Sequence, residues 1–175
     1  MTAEQQTAST SEPGDDILVS VRGLKVHFPI YGGTILSRQV GATKAVDGVD
    51  LDVPRGKTVG LVGESGCGKS TLGRAILRLT PITEGVVKVG GIDVASLKGE
   101  KLRSARQNMQ MVFQDPLASL NPRQSVETIL TEPLRAHDIK FDADTKVREL
   151  LDKVGLPASA ARKYPHEFSG GQRQR

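Results

Sequence analysis

The strongest chemical signal in this sequence is one short run. Gly63-Glu64-Ser65-Gly66-Cys67-Gly68-Lys69-Ser70 fits the pattern G-x-x-x-x-G-K-[ST] at each fixed position. Glycines let the backbone curl so that successive N–H groups point inward at phosphate oxygens. A helix beginning near Lys69 adds the positive end of its dipole. Lys69 has the reach to meet β- and γ-phosphates, and Ser70, followed by Thr71, can place a hydroxyl on Mg²⁺. The implied ligand is a nucleoside triphosphate with its magnesium. Glu64, Ser65 and Cys67 occupy the unconstrained positions. Cys67 has two readings, a simple filler of one of those positions or a thiol made reactive by the helix amino terminus.

Such a loop needs a strand before it and a helix after it, and the flanking residues provide both patterns. Thr58–Val62 is a short apolar run of the kind found in buried parallel strands. Leu72, Ala75, Ile76 and Leu79 recur at helical spacing, and Pro81 follows. Upstream, Ile17, Val19 and Val21, then Leu24, Val26 and Phe28, alternate as a strand with a break at Gly23. Residues 29–43 read as a loop with a short apolar insert. Ala45–Val53 reads as a second strand, stopped by Pro54-Arg55-Gly56. Val86, Val87 and Val89 suggest another strand, residues 100–107 a helix, and Met109, Met111 and Phe113 a further strand ending at Gln114-Asp115-Pro116.

Beyond that point the pattern becomes helical. Ala143–Val154 is the clearest helix, with Asp142 as cap, Val147, Leu150, Leu151 and Val154 on one face, and Gly155 and Pro157 closing it. An earlier helix begins near Ser125, with Pro133 expected to kink or end it. The reading is an α/β chain, strand-rich in its first two-thirds and helical in its last third, with residues 1–15 as a disordered leader.

Composition narrows the classes. The chain has 175 residues, 37% hydrophobic and 25% charged, which fits one ordinary globular domain and not a charged tail protein. No run approaches the ~18 apolar residues of a membrane span. The opening MTAEQQTASTSEPGDD lacks the basic start and apolar run of a secretory signal. Cys67 is the single cysteine, which leaves no internal disulfide or thiolate zinc cluster. These features imply a cytosolic chain. The net charge of +4 favours anionic partners without choosing among them, and 3% aromatic residues is low for a protein that stacks bases along a strand.

Two further stretches choose among phosphate-loop proteins. Phe168-Ser169-Gly170-Gly171-Gln172-Arg173-Gln174-Arg175 resembles the signature motif, usually L-S-G-G-Q, of the ATP-binding cassette (ABC) ATPases. Gln114, within Val112-Phe113-Gln114-Asp115-Pro116, resembles their Q-loop. The order of the three motifs is also that family's, and the resemblance covers residues 17–175. Phe113–Arg123, Tyr164–Ser169 and Val46-Asp47-Gly48-Val49 are similar to the oligopeptide and dipeptide importer ATPases in particular.

The resemblance implies a P-loop NTPase core with an antiparallel β portion, plus a helical subdomain at about 117–168. It implies that ATP and Mg²⁺ are bound by Gly63, Glu64, Ser65, Gly66, Cys67, Gly68, Lys69, Ser70 and Thr71, with Lys69 and Gln114 in catalytic roles and Ser70 and Gln114 toward the metal. Ser169, Gly170, Gly171 and Gln172 would close on ATP held by a second ATPase subunit. Phe28 is the choice for stacking adenine, with Tyr31 second. The implied partners are that second subunit, two integral membrane permease subunits and, indirectly, an extracytoplasmic substrate-binding protein, at the cytoplasmic face of the membrane. The cargo would be oligopeptides or dipeptides, or in some systems nickel.

The sequence departs from the family in one respect. Family members continue past the signature into a hydrophobic strand ending in Asp-Glu, a loop with Asp, and a His, and no counterpart follows Arg175. The resemblance therefore implies a domain incomplete at its carboxyl end, poorly stable alone, prone to aggregate, and without the general-base Glu and switch His that hydrolysis needs. Two other readings stay open. One is a non-catalytic nucleotide-binding fragment. The other is a nucleic-acid-linked ABC ATPase, against which stand the absence of zinc cysteines and of long coiled-coil heptads.

Overall fold

The computed structural model describes residues 16–32, 38–113, 115 and 119–175. The expected leader and Gln114 lie outside the described residues. Contacts divide the chain into two units, one ending at Met109 and the other running from Gln110 to Arg175.

The first unit is built on a four-stranded sheet in the order β2-β1-β3-β4, with every pairing antiparallel. The strands are β1 (Ile17–Gly32), β2 (Arg38–Pro54), β3 (Glu84–Val89) and β4 (Ile92–Asp93). Alternating β-branched residues suit such a pleated, half-buried surface. The break expected at Gly23 is a bulge. Val21 pairs with Leu51 and Leu24 with Val49, so Arg22 and Gly23 together oppose Asp50. Asp50 takes the freed Gly23 N–H at 2.6 Å. The extra residue resets the alternation, so Val21 and Leu24, three apart, are both fully buried.

Helix α1 (Lys69–Ile76) lays Leu72 and Ala75 on this sheet, where they join Val21, Leu24, Val26, Val46, Val87 and Val94 in one core. It ends sooner than its apolar spacing suggests. Arg78 takes a left-handed backbone conformation, and the Leu79 N–H turns back to the Arg74 carbonyl at 2.8 Å. Leu79 is left exposed. Helix α2 (Gly99–Ala105) then runs into a 3₁₀ turn at Arg106–Asn108.

Three expectations need correction here. Residues 29–32 and 38–43 belong to β1 and β2, which continue as one long hairpin past the expected loop. Thr58–Val62 and Met109–Phe113 are not strands. A strand exists through its ladder, and neither segment has a ladder partner among the described residues. Val62 and Val112 are accordingly 90% and 91% exposed.

The second unit is helical. Helix α3 (Val126–Ala136) is capped by Ser125, whose side chain accepts the Thr128 N–H at 3.3 Å. Pro133 does not end it; the helix runs three residues further and closes with His137 N–H on the Pro133 carbonyl. Helix α4 (Ala143–Lys153) is capped by Asp142 through the Thr145 N–H at 3.1 Å, as expected. The Thr145 hydroxyl first, then this N–H, holds the Asp142 carboxyl below its ordinary range. Val147 and Leu151 pack with Ala160 and Phe168. Short 3₁₀ turns at Ala158–Arg162 and Pro165–Glu167 lead to helix α5 (Gly170–Gln174).

Candidate functional site

The phosphate loop hangs off the sheet and opens α1. Its residues Gly63–Cys67 are exposed, as is Ser70 at the second helical position. Lys69 folds back over the loop, donating to the Gly63 carbonyl at 2.8 Å and the Glu64 carbonyl at 2.5 Å. Its ammonium also lies 3.5 Å from Cys67 Sγ. The charge is thereby held at the mouth of the loop and not along the helix. Gly68 caps α1 with backbone alone: it has φ +95°, there is no side-chain cap, and the first turn carries no acid. The leading N–H groups of a helix have no intrahelical acceptor. Here the first turn supplies no acid of its own to them, and a lysine stands beside them. This arrangement suits a bound phosphate.

Gly68 is also where the loop meets the sheet. A Cβ at this position would fall on the Ala45 carbonyl oxygen. Two residues back along β2, Thr43 pairs with Phe28. Phe28 thus belongs to the strand region that seats the loop. It is 44% exposed, so it is not the buried strand end that an apolar residue there would otherwise be. Tyr31 lies further along β1 and is 62% exposed. Thr71 is half-buried at the start of α1.

Sequence reasoning missed Ala45 and the polar cluster around it. Asp47 accepts from His27 Nε2 at 2.9 Å and from Lys44 Nζ at 3.0 Å. Lys44 first, then His27, hold the Asp47 carboxyl below its ordinary range. The i, i+3 spacing of Lys44 and Asp47 was visible in the sequence, but the bulge that makes them neighbours was not.

In the helical unit, Ser169 caps α5 in a capping box. Its Oγ accepts the Gln172 N–H at 3.3 Å, and Gln172 Oε1 accepts the Ser169 N–H at 3.0 Å. The hydroxyl proton of Ser169 and the N–H groups of Gly170 and Gly171 have no role inside the helix and can be donated outward. The Gln172 side-chain carbonyl is engaged in holding the cap. Phe168, standing where the signature usually has Leu, is buried in the unit's core. Its carbonyl accepts from Arg173 Nε at 3.0 Å, and Lys163 Nζ lies 5.9 Å from its ring centre. A hollow of about 430 Å³ in this unit is lined by apolar residues such as Met111, Phe113, Leu120, Ile129 and Leu151, with Gln172 to Arg175 along one side. None of that lining comes from the phosphate loop. Among the described residues no cluster of three or more His, Cys, Asp or Glu could hold a metal by itself. Mg²⁺ does not need one, since it is commonly bound by one or two protein groups plus phosphates and water, and the exposed Ser70 hydroxyl fits that role. No helix among the described residues is long and apolar enough to cross a membrane.

The chain is 52% identical over 163 residues to the oligopeptide transport ATP-binding protein AppF of Bacillus subtilis, covering 91% of this chain and 49% of that protein. It is 48% identical over 163 residues to OppF of Salmonella typhimurium, with the same coverage. Against OppD of Mycobacterium tuberculosis it is 46% identical over 160 residues, covering 91% of this chain and 26% of that one. The chain therefore spans about half the length of AppF and OppF, and less of OppD. Among solved structures, the ATP-binding cassette MJ0796 bound to ADP and Pi shares the fold, with TM-score 0.70 and 24% identity over 89% of this chain and 65% of that one. The model of the ABC transporter family matches residues 46–175, and this chain belongs to that family.

Proposed function

We propose that this chain is the ATP-binding part of an ATPase subunit that energises an ABC importer of oligopeptides or dipeptides. The observation that carries the reading is the phosphate loop: an exposed glycine turn with Lys69 held over its mouth, ahead of a helix whose first turn carries no acid. The identity of 46–52% to oligopeptide transport ATP-binding proteins supports the choice of cargo.

In this reading the loop N–H groups and Lys69 hold the β- and γ-phosphates, and Ser70 contributes its hydroxyl to the magnesium, which would neutralise phosphate charge. Phe28, with Tyr31 as the second choice, offers a ring face to adenine. Ser169, Gly170 and Gly171 donate to the γ-phosphate of ATP held by a second ATPase subunit. Gln114 responds to the nucleotide and passes its state to two membrane permease subunits at the cytoplasmic membrane face, where a substrate-binding protein delivers the peptide from outside. Water attacks the γ-phosphate directly, with Lys69 stabilising the developing charge. The test is uptake of a labelled oligopeptide by cells in which the gene is disrupted. Loss of uptake, restored by the intact gene and not by a Lys69→Ala copy, is expected. Undiminished uptake would rule out the peptide cargo.

A further inference from the structure

The phosphate loop rests on the sheet through one glycine. A Cβ on Gly68 would meet the Ala45 carbonyl and lie 3.7 Å from Val46 Cγ2. The backbone at Ala45–Val46 is therefore the seat of the loop's last turn. That seat is not regular strand. Val26 pairs with Val46 and His27 with Lys44, which leaves Ala45 as the extra residue of a second bulge. A bulge interrupts the ladder and can bend, so its shape depends on whatever ties its flanks together.

The tie here is Asp47. One carboxylate oxygen bonds His27 Nε2 on the neighbouring strand, and the other accepts from Lys44 Nζ on the far side of the bulge. His27 is held in turn, its backbone N–H donating to Thr83 Oγ1 at 2.9 Å. The adjacent Lys25–Glu84 pair, at 2.6 Å, closes the cluster with balanced charge. Ala45 thus lies among Lys44 before it, Asp47 after it and His27 across the ladder, with the Lys44 and His27 side chains meeting on the Asp47 carboxylate. Of these, His27 is the most buried, with 18% of its side chain exposed.

We propose that Asp47 is a positioning residue for the nucleotide: by clamping Lys44 and His27 around the Ala45 bulge, it fixes the seat of Gly68 and hence the shape of the phosphate loop. This rests on the reading of Gly63–Ser70 as a nucleotide site. The full chain is titrated with a fluorescent ATP analogue, alongside Asp47→Ala, Lys44→Ala, Lys44→Arg and the Asp47→Ala/Lys44→Ala double variant. Asp47→Ala and Lys44→Ala each weaken binding about threefold, the size expected of partly exposed charge pairs. The Lys44→Arg variant keeps the unsubstituted affinity, and the double variant binds no worse than Asp47→Ala alone. Melting temperatures of the Lys44 variants stay unchanged, because that side chain is 62% exposed, and this separates positioning from folding. Should Asp47→Ala fail to fold, the Lys44→Ala and Lys44→Arg pair carries the same test. Equal affinity in the unsubstituted chain and Asp47→Ala, or additive losses in the double variant, would overturn the clamp alone. No binding by the unsubstituted chain would overturn the nucleotide reading, and the clamp with it.

Discussion

Replacing Gly68 by Ala tests the seat of the phosphate loop most directly. Two costs add at that position. The residue has φ +95°, a conformation that costs an L-residue about 1–2 kcal/mol. The new Cβ would also overlap the Ala45 carbonyl, which is backbone and cannot rotate aside. Forcing such an overlap typically costs a further ~1–3 kcal/mol. The expected loss is therefore roughly 2–5 kcal/mol, and a melting temperature lower by about 4–20 °C. Two other glycines calibrate the measurement. Gly66 has φ +84° but open space around its Cβ, so Gly66→Ala carries the torsional cost alone, about 1–2 kcal/mol. Gly73 sits inside α1 with ordinary φ and open space, so Gly73→Ala gains about 0.5–1 kcal/mol from helix propensity. Thermal melts followed by circular dichroism give the order Gly73→Ala, unsubstituted, Gly66→Ala, Gly68→Ala, from most to least stable. Titration with ATP separates Gly68→Ala further, since its loop must move off the sheet. Equal losses at Gly66 and Gly68 would refute the claim that the loop is seated on Ala45.

Four other outcomes follow from the same geometry. Lys69→Ala abolishes measurable ATP binding while leaving the melt nearly unchanged, because among the described residues the Lys69 ammonium meets loop carbonyls and Cys67 Sγ; binding within twofold of the unsubstituted chain would contradict its placement at the loop mouth. Phe28→Ala weakens binding of adenine nucleotides by about 1–3 kcal/mol, the usual worth of an aromatic stack, and Phe28→Tyr restores it; equal binding in all three would remove Phe28 from the site. Asp52, Glu84 and Asp142 are held below their ordinary range by Arg22, Lys25 and Thr145 respectively. A carboxyl lowered in the folded state gives stability above its unfolded pKa that is lost as pH falls through the folded value, so melts taken from pH 7 downward stay level to about pH 5 and decline below about pH 4, and an undiminished melt at pH 2.5 would contradict this. Phe168→Ala costs about 3–5 kcal/mol in the helical unit and Phe168→Leu far less; similar melts for both would place the ring outside the core.

The elements fixed by local chemistry were legible in the sequence. Asp142 and Ser125 cap their helices because a short polar side chain before an apolar helical pattern can take an N–H three residues on. The phosphate loop was legible because its chemistry demands glycines and a lysine at set spacing. What depends on distant pairing was read less well. Thr58–Val62 has strand-like residues, but a strand is a property of two segments and its partner is not among the described residues. The segment 29–43 looked like a loop because glycines and an apolar insert blur its alternation, while pairing from Phe28–Thr43 to Gly32–Arg38 extends the hairpin. The seat at Ala45 was invisible because a bulge is a mismatch between two strands, and neither strand shows it alone. The α5 capping box between Ser169 and Gln172 likewise appears only when the helix start is placed.

The two motifs solve one problem by different means. In the proposed reading each presents backbone N–H groups to an anion, and backbone groups can be aimed only by fixing the chain on either side. In the phosphate loop the fixing comes from contact: Gly68 lies against Ala45, and Lys69 ties down the carbonyls of Gly63 and Glu64. In the signature it comes from burial and capping: Phe168 is sunk in the helical core, and Ser169 and Gln172 lock the first turn. This explains why the residue before Ser169 can be Phe as well as Leu, since an anchor needs apolar volume and not a particular shape. It also explains why Gly68 tolerates no such exchange, since a seat on a carbonyl leaves no room for any side chain. The positions that fix these motifs therefore extend beyond those that would touch phosphate, to Ala45 with its clamp in one unit and to Phe168 with Arg173 on its carbonyl in the other.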